Sequence, residues 1–189
     1  MVEARRVFSV GQAALNAERL VFLDETGVKL GMGRRCGWSK LGEPCVIKRK
    51  LWSSNYSLVG ALALDGLRAG MLIRGAIDGP RFLAFLREAL VPALRPGDIL
   101  VMDNLRVHKV AGVKELVESV GAAVLYLPPY SPELNPIELV WAKFKTAIRG
   151  VMPRTLAALQ RVLNQAFASL TSQQAAGWFR HCGYSVQPW

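Results

Sequence analysis

Three acidic residues stand where a chain would present them at a surface. Asp24 closes the apolar run Leu20-Val21-Phe22-Leu23, Asp103 closes Ile99-Leu100-Val101-Met102, and Glu138 follows a proline-rich connector. Singly, each has a plain structural reading: Asp24 suits a turn, Asp103 and Asn104 suit a helix start, and Glu138 suits a first helical turn. Together they read differently. Ligands of open α/β sheets sit beyond the carboxyl ends of the strands. Three carboxylates converging there repel one another and raise each other's pKa unless a cation lies between them. Oxygen donors without cysteine or histidine select a hard ion, Mg²⁺ or Mn²⁺. Two such ions at a phosphodiester support phosphoryl transfer, one sharpening a water or 3′-hydroxyl and the other stabilising the leaving oxygen.

The elements that must position these acids can be read in outline. The connector Leu127-Pro128-Pro129-Tyr130-Ser131-Pro132-Glu133-Leu134-Asn135-Pro136-Ile137-Glu138 is stiffened by prolines that fix φ and remove donors. Asn135 reads as an N-cap, with Pro136 at the first helical position and Glu138 at N3. Residues 20–24 and 57–64 read as strands, 67–74 as an edge strand after the turn Asp65-Gly66, and 27–42 as a second, ragged strand. The continuous apolar runs at 99–103 and 122–127 read as buried parallel strands joined by a helix carrying Val110, Val113, Leu116, Val117 and Val120. An earlier helix opens at Asp78-Gly79-Pro80 and buries Phe82, Phe85, Leu86 and Leu90. Helices follow from Ile137 to Val151, after Thr155, and after Thr171, where Thr171-Ser172-Gln173-Gln174 reads as a capping box. The fold class is α/β, a mixed sheet with helices on both faces.

Composition narrows the partners. The chain has 189 residues, 51% of them hydrophobic, enough for one domain with a real core. Lys and Arg number 24 against 14 Asp and Glu, a net charge of +10, which favours a polyanion such as nucleic acid over mere surface solvation. No apolar run approaches the roughly 18 residues of a membrane span, and residues 1–6 lack a secretory h-region. Three cysteines without a CxxC fit reduced thiols in a cytoplasm, and two histidines make a structural zinc site improbable.

The blocks Leu23-Asp24-Glu25-Thr26-Gly27, Gly37-Trp38-Ser39 through Gly42-Glu43-Pro44, Val101-Met102-Asp103-Asn104 with His108, and Leu127 through Glu138 carry a resemblance. The sequence resembles the catalytic domain of DDE transposases of the mariner-like superfamily, in its bacterial insertion-sequence branch. The resemblance covers residues ~20 to 184, and 34 residues lie between Asp103 and Glu138, a spacing that superfamily favours. It implies an RNase H-like fold with a mixed five-stranded sheet and two Mg²⁺ (or Mn²⁺) ions held by Asp24, Asp103 and Glu138. It also implies cleavage at an element's ends and joining of 3′-hydroxyls to target DNA. Double-stranded DNA is then the partner, a homodimer on DNA the assembly, and a bacterial, nucleoid-associated cytoplasm the location. Members of the superfamily carry helix-turn-helix modules ahead of this domain. Residues 1–18 are therefore expected to be a linker remnant, 19–184 the catalytic domain and 185–189 a tail. The chain would be the second frame of a split element, a truncated copy or a cut piece.

Arg34, Arg35, Lys48, Arg49, Lys50, Trp52, Lys143 and Lys145 are candidates for DNA contact. His108 either approaches a DNA phosphate or stands exposed on the first turn of a helix. Asn104 either orients Asp103 or caps that helix. Trp38 and Trp52 either stack on a base or pack internally. Trp141, one turn past Glu138, is expected beneath the site, and Glu25 is expected on the opposite face of the strand from Asp24. Two rival readings are a catalytically silent DNA-binding or dimerising remnant and a host nuclease acting on RNA–DNA hybrids.

Overall fold

The computed structural model describes residues 2–34, 36–46 and 54–187. Its strands are β1 (Leu20–Lys29), β2 (Asn55–Ala63), β3 (Gly66–Arg74), β4 (Ile99–Met102) and β5 (Ala123–Tyr126). They form one sheet in the order β3-β2-β1-β4-β5. β1, β2 and β3 run antiparallel, whereas β4 and β5 continue the sheet parallel to β1. Gly66, at φ 121°, closes the hairpin between β2 and β3 with a backbone that side-chain-bearing residues avoid.

Side chains alternate along β1 as a strand covered on both faces requires. Leu20 and Phe22 enter one core, while Val21 and Leu23 enter the other. The first core is closed by α4 (Ile137–Val151), α5 (Leu156–Ala168) and α6 (Ser172–His181). Phe22 packs edge-on against Phe179 and Tyr184, with ring centroids 5.1 and 5.0 Å away. The second core is closed by α2 (Gly79–Phe85) and α3 (Val113–Glu118), and the expected stripe Phe82, Phe85, Leu86 and Leu90 is fully buried there. Thr155 and Thr171 cap α5 and α6 by accepting from the N–H groups of Ala158 and Gln174. The reciprocal half of the capping box is not made, because the Gln174 side chain accepts from Lys143 instead.

Elsewhere the structure corrects the expectations. β1 does not stop at Asp24 but runs on to Lys29, because Asp24 through Lys29 find partners along β2. The ragged strand across 27–42 does not form. Beyond Lys29, none of the described residues up to Val46 is extended in a sheet; Gly31 and Gly42 have positive φ, and Trp38 and Leu41 lie in solvent. Helix α4 begins at Ile137 with Pro136 as its cap, so Glu138 is its second residue rather than its third. Asn135 does not cap with its side chain. The Glu138 N–H bonds the Asn135 carbonyl oxygen at 3.1 Å, and the buried Asn135 Oδ1 has no partner. Ahead of β1, helix α1 (Val2–Gln12) is docked on the domain. Gln12 is buried and donates to the Cys182 carbonyl at 2.6 Å, and Arg5 donates to Ser131 Oγ at 2.9 Å on the connector.

Candidate active site

The parallel register of β1 and β4 pairs Leu20 with Ile99 and Phe22 with Val101. Two residues further along, Asp24 comes alongside Asp103. Asp24 shares the face of Leu20 and Phe22, the side covered by α4, and there Trp141 Nε1 donates to its Oδ2 at 3.1 Å. The indole fits because the β2 partner of Asp24 is Gly60, where a Cβ would stand 2.8 Å from the Trp141 ring. Glu138 sits three residues before Trp141, in the first turn of the same helix. Asp24, Asp103 and Glu138 line one cavity of about 290 Å³, walled also by Leu105, Asn135 and the proline-rich connector. Among the described residues no three acidic, histidine or cysteine side chains are gathered into a ready-made ion cage. The carboxylates share a cavity rather than a point.

Their charges are felt across it. Burial first, then Glu138, Glu25 and Asp103, push the Asp24 carboxyl up to about 7, although a backbone hydrogen bond opposes. Asp103 moves the other way. Burial would raise it, but His108, the Leu105 N–H and Lys109 together hold it below the usual carboxylate range. His108 lies 2.7 Å by Nδ1 from Asp103 Oδ1 and 3.0 Å by Nε2 from Glu25 Oε2. The Nδ1 approach is close but fails hydrogen-bond alignment, so it is an ion-pair contact, whereas the Nε2 contact is a true hydrogen bond. Burial would depress this imidazole, yet the two carboxylates lift it to about 9. The arrangement is a pocket with surplus negative charge and one internally held cation.

A family model described as DDE superfamily endonuclease matches residues 19–160, which include all three carboxylates. The chain belongs to that family. No curated protein sequence matches it significantly. Its fold is similar to a subunit of a pre-cleavage Mos1 transpososome, with a TM-score of 0.77 at 17% identity over 95% of this chain. This chain spans 56% of that subunit, about half the length of the relatives it matches first. It is also similar to the Mos1 transposase catalytic domain solved with Raltegravir and Mg, with a TM-score of 0.70 at 16% identity, covering 95% of this chain and 85% of that one. The crystal structure of the catalytic domain of Mos1 mariner transposase gives a TM-score of 0.68 at 17% identity, covering 95% and 82%. At these identities the likeness shows the fold, an RNase H-like DDE domain.

Within this DDE domain the other candidates fall out unevenly. His108 neither stands in solvent nor reaches for DNA. It is fully buried, with its ring 4.8 Å from that of Phe82, because two carboxylates draw it inward. Asn104 takes neither expected role: its Nδ2 donates to the Leu127 carbonyl, tying the end of β4 to the start of the connector. The Leu105 N–H is met by Asp103 Oδ1 instead, at 3.0 Å. Lys143 reaches Gln174 Oε1 at 2.9 Å and the Ser169 carbonyl at 3.5 Å, bracing α4 against the ends of α5 and α6. Lys145 is half-buried, Arg34 and Trp38 are exposed, and Arg35, Lys48, Arg49, Lys50 and Trp52 lie outside the described residues. Trp141 lies beneath the site as expected, but sequence reasoning missed its bond to Asp24. It also passed over Glu25, whose signal was its place beside Asp24 on the other face of β1.

Proposed function

We propose that this DDE domain is the catalytic part of a transposase, cleaving DNA strands and joining the freed ends to a target, with Asp24, Asp103 and Glu138 as ligands of two Mg²⁺ or Mn²⁺ ions. One observation carries the reading: in a DDE superfamily member, three carboxylates distant in sequence face one cavity, and the most buried of them is pushed up to about 7 by burial and then by its acidic neighbours. Such a surplus of negative charge around one cavity fits a hard cation supported by oxygen ligands. The ligands of a two-ion site are spread over centres about 3.5–4 Å apart, so a shared cavity suits it better than a single tight cage. When bound, the ions would sharpen the attacking oxygen and offset charge on the leaving one.

The protein's own groups do the rest. Trp141 donates to Asp24 Oδ2 and so helps fix that carboxylate on the cavity wall. The connector sets the start of α4 and with it Glu138. We take residues 19–184 as the catalytic unit, with residues 1–18 as a linker docked on the connector through Arg5. Similar folds include Mos1 mariner paired-end complexes with Mn and with Mg. They support divalent-metal use, double-stranded DNA as substrate and a dimer on paired ends for this chain. A supercoiled-plasmid nicking assay with Mn²⁺ tests the proposal. Wild type is expected to nick, and EDTA or Asp103→Asn to abolish nicking. Equal nicking by wild type and Asp103→Asn would sink the enzyme reading and leave a silent DNA-binding remnant.

A further inference from the structure

We propose that Glu25 and His108 form a positioning pair for Asp103, in which the β1 acid on the face away from the cavity anchors a buried imidazole that fixes one oxygen of the β4 acid. The inference rests on reading Asp103 as a metal ligand. Asp103 Oδ1 is taken up twice by protein groups, by His108 Nδ1 at 2.7 Å and by the Leu105 N–H at 3.0 Å. Oδ2 is the oxygen left to an ion. A carboxylate on a short loop after a four-residue strand has freedom of rotation to lose, and locking one oxygen removes much of it before the ion arrives.

The imidazole is itself held at Nε2, at its face and at its backbone. Nε2 meets Glu25 Oε2 at 3.0 Å, the ring lies against Phe82, and the His108 carbonyl accepts from the Tyr126 hydroxyl at 3.0 Å. With both nitrogens facing carboxylates and no exposure to solvent, His108 is neither an ion ligand nor a proton shuttle to substrate. Packing alone does not account for it, since an apolar side chain beside Phe82 would avoid burying a polar ring. Strand alternation explains the division of labour between neighbours. Asp24 faces α4 and the cavity, while Glu25, one residue on, faces the α2 side, where His108 lies. The adjacent acids Asp24 and Glu25 thus serve one site from two faces of the sheet.

The chain has only two histidines, so ring ¹⁵N NMR gives two pairs of signals, and His181→Gln assigns them. Adding Mg²⁺ to the full chain is expected to shift the His108 signals and leave those of His181 in place. Glu25→Gln, nearly the same shape, is expected to weaken Mg²⁺ binding by roughly 10- to 100-fold with unchanged circular dichroism. Its nicking should recover at high Mg²⁺, a raised KM for the ion with kcat largely kept, and Glu25→Asp should restore part of the affinity. Wild-type Mg²⁺ binding with an unshifted His108, or with an indifferent Glu25→Gln, overturns the pair and leaves the transposase reading intact. A wild-type chain that neither binds Mg²⁺ nor nicks DNA overturns that reading, and the pair's role with it.

Discussion

Asp24 is held where a lone carboxylate is costly to ionise: it is 7% exposed, between strands, with two other acids across the cavity. Its carboxyl sits at about 7, against 3.8 for the free side chain, so the native state binds a proton more tightly than the unfolded chain does. Stability from this group is therefore fully present below pH 3.8 and is lost as pH rises through 7. His108, raised to about 9, adds a loss in the same direction, present below 6.5 and gone above 9. Asp103, lowered, works in the opposite sense: its stability is fully present and constant between pH 5 and 8 and is lost only in acid, as pH falls from 3.8 through its folded value. Without divalent ions, Asp24→Asn is expected to stabilise the protein at pH 8 by on the order of 3 kcal/mol and to do much less near pH 4. Thermal melts in EDTA at the two pH values check this, and equal effects at both would refute it. The same variant should lose nicking, because an amide cannot neutralise an ion. Function here is set against stability in a single carboxyl group.

One scale up, β1, β2 and α4 meet through an indole. Trp141 lies over Gly60 and holds Asp24, so the close approach of helix to sheet fixes the site. Gly60→Ala would place a methyl 2.8 Å from the ring and about 3.4 Å from the Ala69 carbonyl and Leu67, so the indole must shift. It is expected to cost roughly 1–3 kcal/mol and to cut nicking sharply as the ring leaves Asp24. Thr171→Ala, which removes only the cap of α6, should cost about 1 kcal/mol and spare nicking. Melting curves and plasmid nicking read both, and a Gly60→Ala protein with full activity would show that the indole is not needed. Much of this level was legible in the sequence. Uninterrupted apolar runs at 20–23 and 99–102 mark strands covered on both faces, and prolines mark the connector, because burial and φ restriction act locally. What stayed hidden depends on partners far along the chain. Nothing near Asp24 says that β2 will carry the strand on to Lys29. Nothing near His108 says that Glu25, 83 residues away, will draw it inward. Asn135 has the look of a cap, yet the turn at Pro132–Leu134 leaves the backbone carbonyl to do that work.

At the scale of the whole molecule the decisive quantity is charge. A net +10 beside an acidic cavity separates two tasks, since the basic surface would hold a polyanion while the carboxylates hold ions against it. If phosphates are met by Lys and Arg, counterion release makes affinity for duplex DNA fall by about 0.9 log unit per contact for each decade of salt. Anisotropy titrations of a labelled duplex between about 50 and 200 mM salt measure that slope. The two lysines of α4 should then part company. Lys143 is engaged with Gln174 and Ser169, so Lys143→Ala is expected to lower the melting temperature and leave the slope unchanged. Lys145→Ala should do the reverse, lowering the slope by about 1 and weakening binding alike for every sequence. A slope indifferent to salt in the wild-type protein would mean that the excess charge only solvates the surface. DNA would then have to be held by something other than this domain's basic side chains.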